Sequence, residues 1–201
     1  MTHFNGSIRF IDQFLANFQP MFTNTQMSAL RATVYGMFYD YKRLRLSAIS
    51  GKTNTSYQKL QYFFSDSNWD INTLNDVRLN ILQNQPTTRS IPNGVFAIDD
   101  TGCPKPYAKK AEGAQYQHCG SLDHNENCNV AVASCFVSNA KHFPVNFKSY
   151  IPEDQCKPNQ FKSKLELAKN LIDHAIDKNI PFTNIVFDCW YSSSDFIEFI
   201  S

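Results

Sequence analysis

Glutamate does not occur before position 112, no Cys-x-x-Cys pair exists anywhere, and no apolar run approaches the length of a membrane span. The start of the chain (Met1, Thr2, His3, Phe4, Asn5) lacks the basic and apolar stretch of a secretory signal. No internal repeat or low-complexity tract stands out. These absences exclude a membrane-spanning helix and a disulfide- or zinc-ribbon scaffold, and they predict a soluble, cytoplasmic protein. Net charge is nearly absent too: 19 Lys+Arg oppose 18 Asp+Glu, which excludes a uniformly basic nucleic-acid coat but not a local basic face.

What is present is a chain of 201 residues, 42% hydrophobic and 18% charged, enough to build a packed core. Its six cysteines (103, 119, 128, 135, 156 and 189) include several inside apolar runs, where a reduced thiol behaves as a small hydrophobe. The charge splits along the chain. Residues 1–90 hold nine Lys+Arg against five Asp, a balance of +4, and residues 91–201 hold ten Lys against thirteen acidic residues, a balance of −3. The polar segment Gln85–Gly94, with prolines at 86 and 92, reads as the linker between two regions.

Residues 1–90 read as helical. Ile8, Ile11, Leu15 and Phe18 repeat at helical spacing up to Pro20. Thr25 is the expected cap of a longer helix with the stripe Met27, Leu30, Val34, Met37, Tyr41 and Leu44. Lys42, Arg43, Arg45 and Lys52 cluster around its far end, either as cations favourably near the helix C-terminus or as a DNA-contacting face. Tyr57, Leu60, Phe63 and Phe64 form a further short pattern, and Asp70 can cap a helix carrying Ile71, Leu74, Val77 and Ile81.

After the linker the pattern changes. Val95–Ile98 is a continuous apolar run, as expected of a strand buried on both faces, and it ends in Asp99-Asp100-Thr101-Gly102. Strands are expected around 114–122, 128–138 and 143–151. A helix follows in which Ser163 and Glu166 fit a capping box and Leu165, Ala168, Ile172 and Ala175 form the buried stripe. Ile185–Phe187 is another short strand, ending in Asp188, and Ser192–Ser194 open a last helix with Phe196, Ile197 and Ile200 on one side.

Two strands that finish in aspartate and are joined through a helical crossover are expected to be parallel, with both carboxyl ends at one sheet edge. Converging carboxylates repel unless a cation lies between them, and a hard divalent ion with oxygen ligands is the natural partner. Taken singly, each aspartate fits an ordinary turn or cap. Asp100-Thr101-Gly102 also matches the aspartic-protease triplet, but the helix at 163–178 argues against that all-β fold. His118, Cys119, His124 and Cys128 fit no standard zinc spacing and read as core and loop residues.

An ordered series of motifs resembles the catalytic domain of DDE transposases of the IS701-like type, within the IS4-like group. It comprises Ile98–Gly102 with Pro104-Lys105; Gln117, Cys119-Gly120 and Leu122; Asn127-Cys128 with Val130–Val132; Tyr150–Glu153; Phe161 with Lys164–Ala168; and Pro181-Phe182 leading to Val186–Asp188 and Tyr191. Upstream, Phe63–Asp70 is similar to a segment of the family's helical region. His118 stands where a Tyr is usual, and Cys189-Trp190 replaces smaller residues.

The resemblance implies an α/β, RNase H-like mixed sheet with helices over 91–201, preceded by a small all-helical DNA-binding region over 1–90. It also implies catalytic residues in the order Asp, Asp, Glu around two Mg²⁺ (or Mn²⁺) ions. The first maps onto Asp100, with Asp99 as the fallback, and the second onto Asp188. The third, a Glu on a later helix, is expected beyond Ser201, because Glu198 lies too soon after Asp188. On this reading the chain is a transposase truncated before its third acidic residue. It is expected to cleave phosphodiesters and transfer strands at the inverted-repeat ends of an insertion sequence, as a bacterial, cytoplasmic and nucleoid-associated protein. The expected DNA-contacting residues are Arg43, Arg45, Lys52, Lys105, Lys109 and Lys110. A second chain supplying the Glu and a homodimer are implied as assemblies. An inactive remnant that at most binds DNA and a non-enzymatic interaction protein are the alternatives.

Overall fold

The computed structural model describes residues 8–40, 44–108, 110–139 and 141–201. The chain divides into two compact units, residues 1–78 and 79–201.

In the first unit, α1 (Arg9–Ala16) buries Ile11 and Leu15, and Phe18 beyond it is also buried. The next helix, α2 (Asn24–Tyr39), is capped by Thr23 rather than Thr25. Thr23 accepts from the Gln26 backbone N–H while the Gln26 side chain returns to the Thr23 N–H. The buried face of α2 also differs from the expected stripe. Met27 is buried, but Met37 is 42% exposed, and the face is completed by the small residues Ala29, Ala32 and Gly36 with Thr33 and Tyr35.

The reason is close approach to α3 (Leu46–Thr53): a Cβ on Gly36 would lie 2.7 Å from Ile49 Cγ2. Asp40 caps the C-terminus of α2, so Leu44 lies beyond it, and Tyr41 falls outside the described residues. Ser56 caps α4 (Tyr57–Ser65), where Phe63 stacks on Trp69 with ring centroids 5.3 Å apart. Asp70 starts α5 (Ile71–Asn84) by accepting from the Asn72 and Thr73 amides. The second half of α5 supplies Leu79 and Leu82 to the core of the second unit.

The second unit is built on a mixed sheet of β1 (Gly94–Pro104), β2 (Gln115–Cys119), β3 (His124–Val137), β4 (His142–Tyr150) and β5 (Phe182–Phe187). Strand β3 is the spine. One edge pairs antiparallel with β1, and the other pairs first with β2 and then with β4. The parallel strand β5 lies on the far side of β1. The crossover between β4 and β5 carries α6 (Lys164–Asp177), where Ser163 and Glu166 form a complete capping box.

Leu167, Ala168, Leu171, Ile172 and Ala175 of α6 pack against Phe96, Ile98, Val132, Phe136 and Val145 of the sheet. The last helix, α7 (Ser194–Ile200), buries Phe196 in the same core. The opposite face is less covered. Val95 and Ala97 are half-buried, and Phe147 and Val186 are each 49% exposed. The β1 run is thus buried on one face, because α6 and the residues after β5 pack on that side alone. No described helix is long and apolar enough to cross a membrane.

Candidate active site

The parallel β1/β5 pair fixes where the acidic residues stand. In its register Ile98 pairs with Phe187, so the next residues along the two segments are Asp99, still inside β1, and Asp188, just past the end of β5. Contrary to the expectation from sequence, β1 does not end in the aspartates but stays paired with β3 as far as Pro104. Strand alternation carries Asp100 to the opposite side, the face on which Phe96 and Ile98 enter the core. There Asp100 forms an ion pair with Lys164, the first residue of α6. The ammonium also lies 5.3 Å from the centroid of the Trp190 ring and 5.8 Å from that of Tyr150.

Asp99, Asp100 and Asp188 line one cleft of about 680 Å³ together with Thr101, His118, Ser121, Lys164, Trp190 and Tyr191. Gly102 lets the wall close, since a Cβ there would lie 2.6 Å from Cys119 Sγ and 3.0 Å from Cys119 Cα. Ser121 Oγ donates to the Gly102 carbonyl across the same approach, at 2.8 Å.

Asp188 caps the short 3-10 turn Cys189–Tyr191, its carboxylate accepting from Trp190 N at 2.9 Å. That amide, with the Cys189 thiol as a second donor, holds the Asp188 carboxyl below its ordinary pKa, and the same carboxylate raises that of Cys189. Tyr191 is 1% exposed, and its hydroxyl has no hydrogen-bond partner among the described residues. Burial, and then the charges of Asp100, Asp99 and Asp188, push its pKa upward. Three carboxylates with one buried, unpartnered hydroxyl beside them are an all-oxygen donor set, the kind a hard divalent cation takes. Among the described residues no three His, Cys, Asp or Glu side chains are already gathered closely enough to form a cage.

The remaining expected residues lie elsewhere. Lys105 and Lys110 are exposed on the loop after β1, where the Lys105 amide is pinned to the Asn127 carbonyl. Arg45 is the residue before α3, and Lys52, in its last turn, lies 5.2 Å over the Tyr39 ring. Arg43 and Lys109 fall outside the described residues. Cys119 and Cys128 are fully buried, and burial together with the neighbouring Cys119 pushes the Cys128 thiol up to about 11. In the first unit a second cleft of about 670 Å³, lined by Phe22, Gln26, Lys59 and Tyr62 among others, contains no carboxylate.

Sequence reasoning assigned no role in the cleft to Lys164, Trp190 or Tyr191. For Lys164 a signal was available: a cation in the first turn of a helix, where the macrodipole favours anions.

Residues 17–200 match the family model described as DDE superfamily endonuclease. Over 191 residues the chain is 26% identical to the probable transposase for insertion sequence element IS701 of Microchaete diplosiphon. That alignment covers 94% of this chain and 49% of the relative, so the chain spans about half the length of the curated relative it matches. No solved structure matches it. With a family match over nearly its whole length, and with Asp99 of β1 level with Asp188 just past the end of the parallel strand β5, the chain belongs to the DDE superfamily endonucleases, as a relative of the IS701-type transposases.

Proposed function

We propose that residues 91–201 form an RNase H-like catalytic domain of a DNA transposase, cutting phosphodiesters at the ends of an insertion sequence and joining them to target DNA. The observation that supports this reading is the β1/β5 register, in which Asp99 of β1 and Asp188 just past β5 each follow the last paired residues, Ile98 and Phe187. Asp99 and Asp188, with Asp100, would hold a divalent ion, Mg²⁺ or Mn²⁺. When bound, the metal supplies Lewis-acid polarisation of the phosphodiester and of the attacking oxygen. The chain's own residues orient and exclude: the Trp190 amide aims Asp188, and Tyr191 offers a buried hydroxyl to the carboxylate cluster.

The third carboxylate is a Glu from further transposase sequence, on this polypeptide or a second one, and the working assembly pairs two copies on two DNA ends. Residues 1–90, with Arg43, Arg45 and Lys52, contribute recognition of the ends, and Lys105, Lys109 and Lys110 contact backbone phosphates.

The test is a Mn²⁺ titration of the wild type and of Asp99→Asn, Asp100→Asn and Asp188→Asn. Loss of affinity by about tenfold or more in Asp99→Asn and Asp188→Asn, with a smaller loss in Asp100→Asn, supports the assignment. Indistinguishable titrations in all four proteins refute it. The second reading is a protein that binds DNA without cutting it. It draws on the lack of a ready three-carboxylate group among the described residues, and salt-dependent DNA binding without any Mn²⁺ uptake would favour it.

A further inference from the structure

Lys164 breaks a local rule. It is the first residue of α6, where the partial positive charge of the helix start favours carboxylates, a preference that Glu166 satisfies two residues later. A lysine also ordinarily leaves its ammonium in water, yet this side chain is only 21% exposed. It is held by three groups from different elements: Asp100 on β1, Tyr150 at the end of β4 and Trp190 after β5. Among the described residues it is the one Lys or Arg that lines the cleft. Local rules broken at a fixed, polar position are characteristic of functional sites.

The charges give this position a consequence. Three aspartates and one ammonium leave the cleft negative, which attracts a divalent ion and repels a polyanionic strand. A divalent ion arriving at Asp99 and Asp188 competes with the ammonium for Asp100. Besides Asp100, the ammonium has the Tyr150 and Trp190 rings of the cleft wall beside it.

Resting on the reading of this cleft as a metal-dependent strand-cleaving site, we propose that Lys164 is a positioning cation with two partners. In the metal-free protein it neutralises Asp100. With metal and nucleic acid present it engages a phosphate oxygen of the strand. Removal of Lys164 is therefore expected to strengthen metal binding and weaken DNA binding, opposite effects that loss of a merely structural side chain would not produce.

The experiment uses the full chain and three variants. Lys164→Met keeps the apolar stem against the rings, Lys164→Gln is a second neutral variant in case the first fails to fold, and Lys164→Arg keeps the charge. Mn²⁺ affinity is measured without DNA by electron paramagnetic resonance of the free ion, and affinity for a fluorescein-labelled DNA duplex is measured by anisotropy in Ca²⁺. The expected result is Mn²⁺ binding about tenfold tighter in the neutral variants, from loss of one nearby positive charge. Duplex binding falls several-fold in the same variants, and Lys164→Arg stays close to wild type in both measurements. Mn²⁺ binding that is unchanged or weaker in the neutral variants overturns this proposal alone. Absence of Mn²⁺ binding by the wild type overturns the metal-site reading and this proposal with it.

Discussion

Ser163→Ala removes the feature that starts α6 and sets Lys164 in place. Ser163 Oγ accepts from the Glu166 amide at 3.2 Å, and the Glu166 carboxylate accepts from the Ser163 amide at 2.7 Å and from its hydroxyl at 2.8 Å. Alanine deletes the first and third of these bonds, and loss of an N-cap side chain costs about 1 kcal/mol. For a unit of residues 79–201, with an unfolding entropy of roughly 2.1 cal/mol/K per residue, that corresponds to a Tm lowered by about 4 °C. The effect depends on pH. The hydrogen bonds to Ser163 hold the Glu166 carboxyl below its ordinary value. A depressed carboxyl contributes stability above the unfolded-state pKa and loses it as pH falls through the folded value. The Ser163 amide, which alanine keeps, is the larger cause and the hydroxyl the smaller, so it is the hydroxyl's part of the wild-type advantage over Ser163→Ala that is lost as pH falls below the normal glutamate range. Differential scanning calorimetry at neutral and acid pH reads both effects. An unchanged Tm at neutral pH, or a difference that persists undiminished in acid, would refute the reasoning.

In the first unit, Gly36→Ala forces a methyl group to 2.7 Å from Ile49 Cγ2, and overpacking of this kind costs about 1–3 kcal/mol. Pairing it with Ile49→Ala should recover part of that loss in urea titrations, whereas two independent losses would show that the helices do not approach there. Leu171→Ala, at a fully buried position of α6, is expected to destabilise the second unit by about 2–5 kcal/mol. A change below 1 kcal/mol would mean that α6 is not packed on the sheet as described.

The parts of the fold written in local signals were legible in the sequence. The Ser163/Glu166 box, the Asp70 cap and the Ile185–Phe187 strand all depend on neighbours within a few residues, and the structure has each of them. The crossover rule made β1 and β5 parallel before their register was known. Packing between elements was not legible. The α2 stripe was read from large apolar residues, whereas the contact with α3 selects small ones, because Gly36 sets how closely the two helices pack. Which of two consecutive aspartates stands beside Asp188 is a matter of register, and a one-residue shift exchanges the faces. The partnership of Lys164 with Asp100 spans 64 residues, and no pattern along the chain announces it.

The central claim is that a divalent ion binds at Asp99 and Asp188, where β1 runs past the end of β5. Its most direct test is anomalous diffraction from crystals of the chain soaked in Mn²⁺. The account predicts a peak within coordination distance of both Asp99 and Asp188 carboxylates, lost in Asp188→Asn. A peak confined to other side chains, or one that persists unchanged in Asp188→Asn, would contradict it.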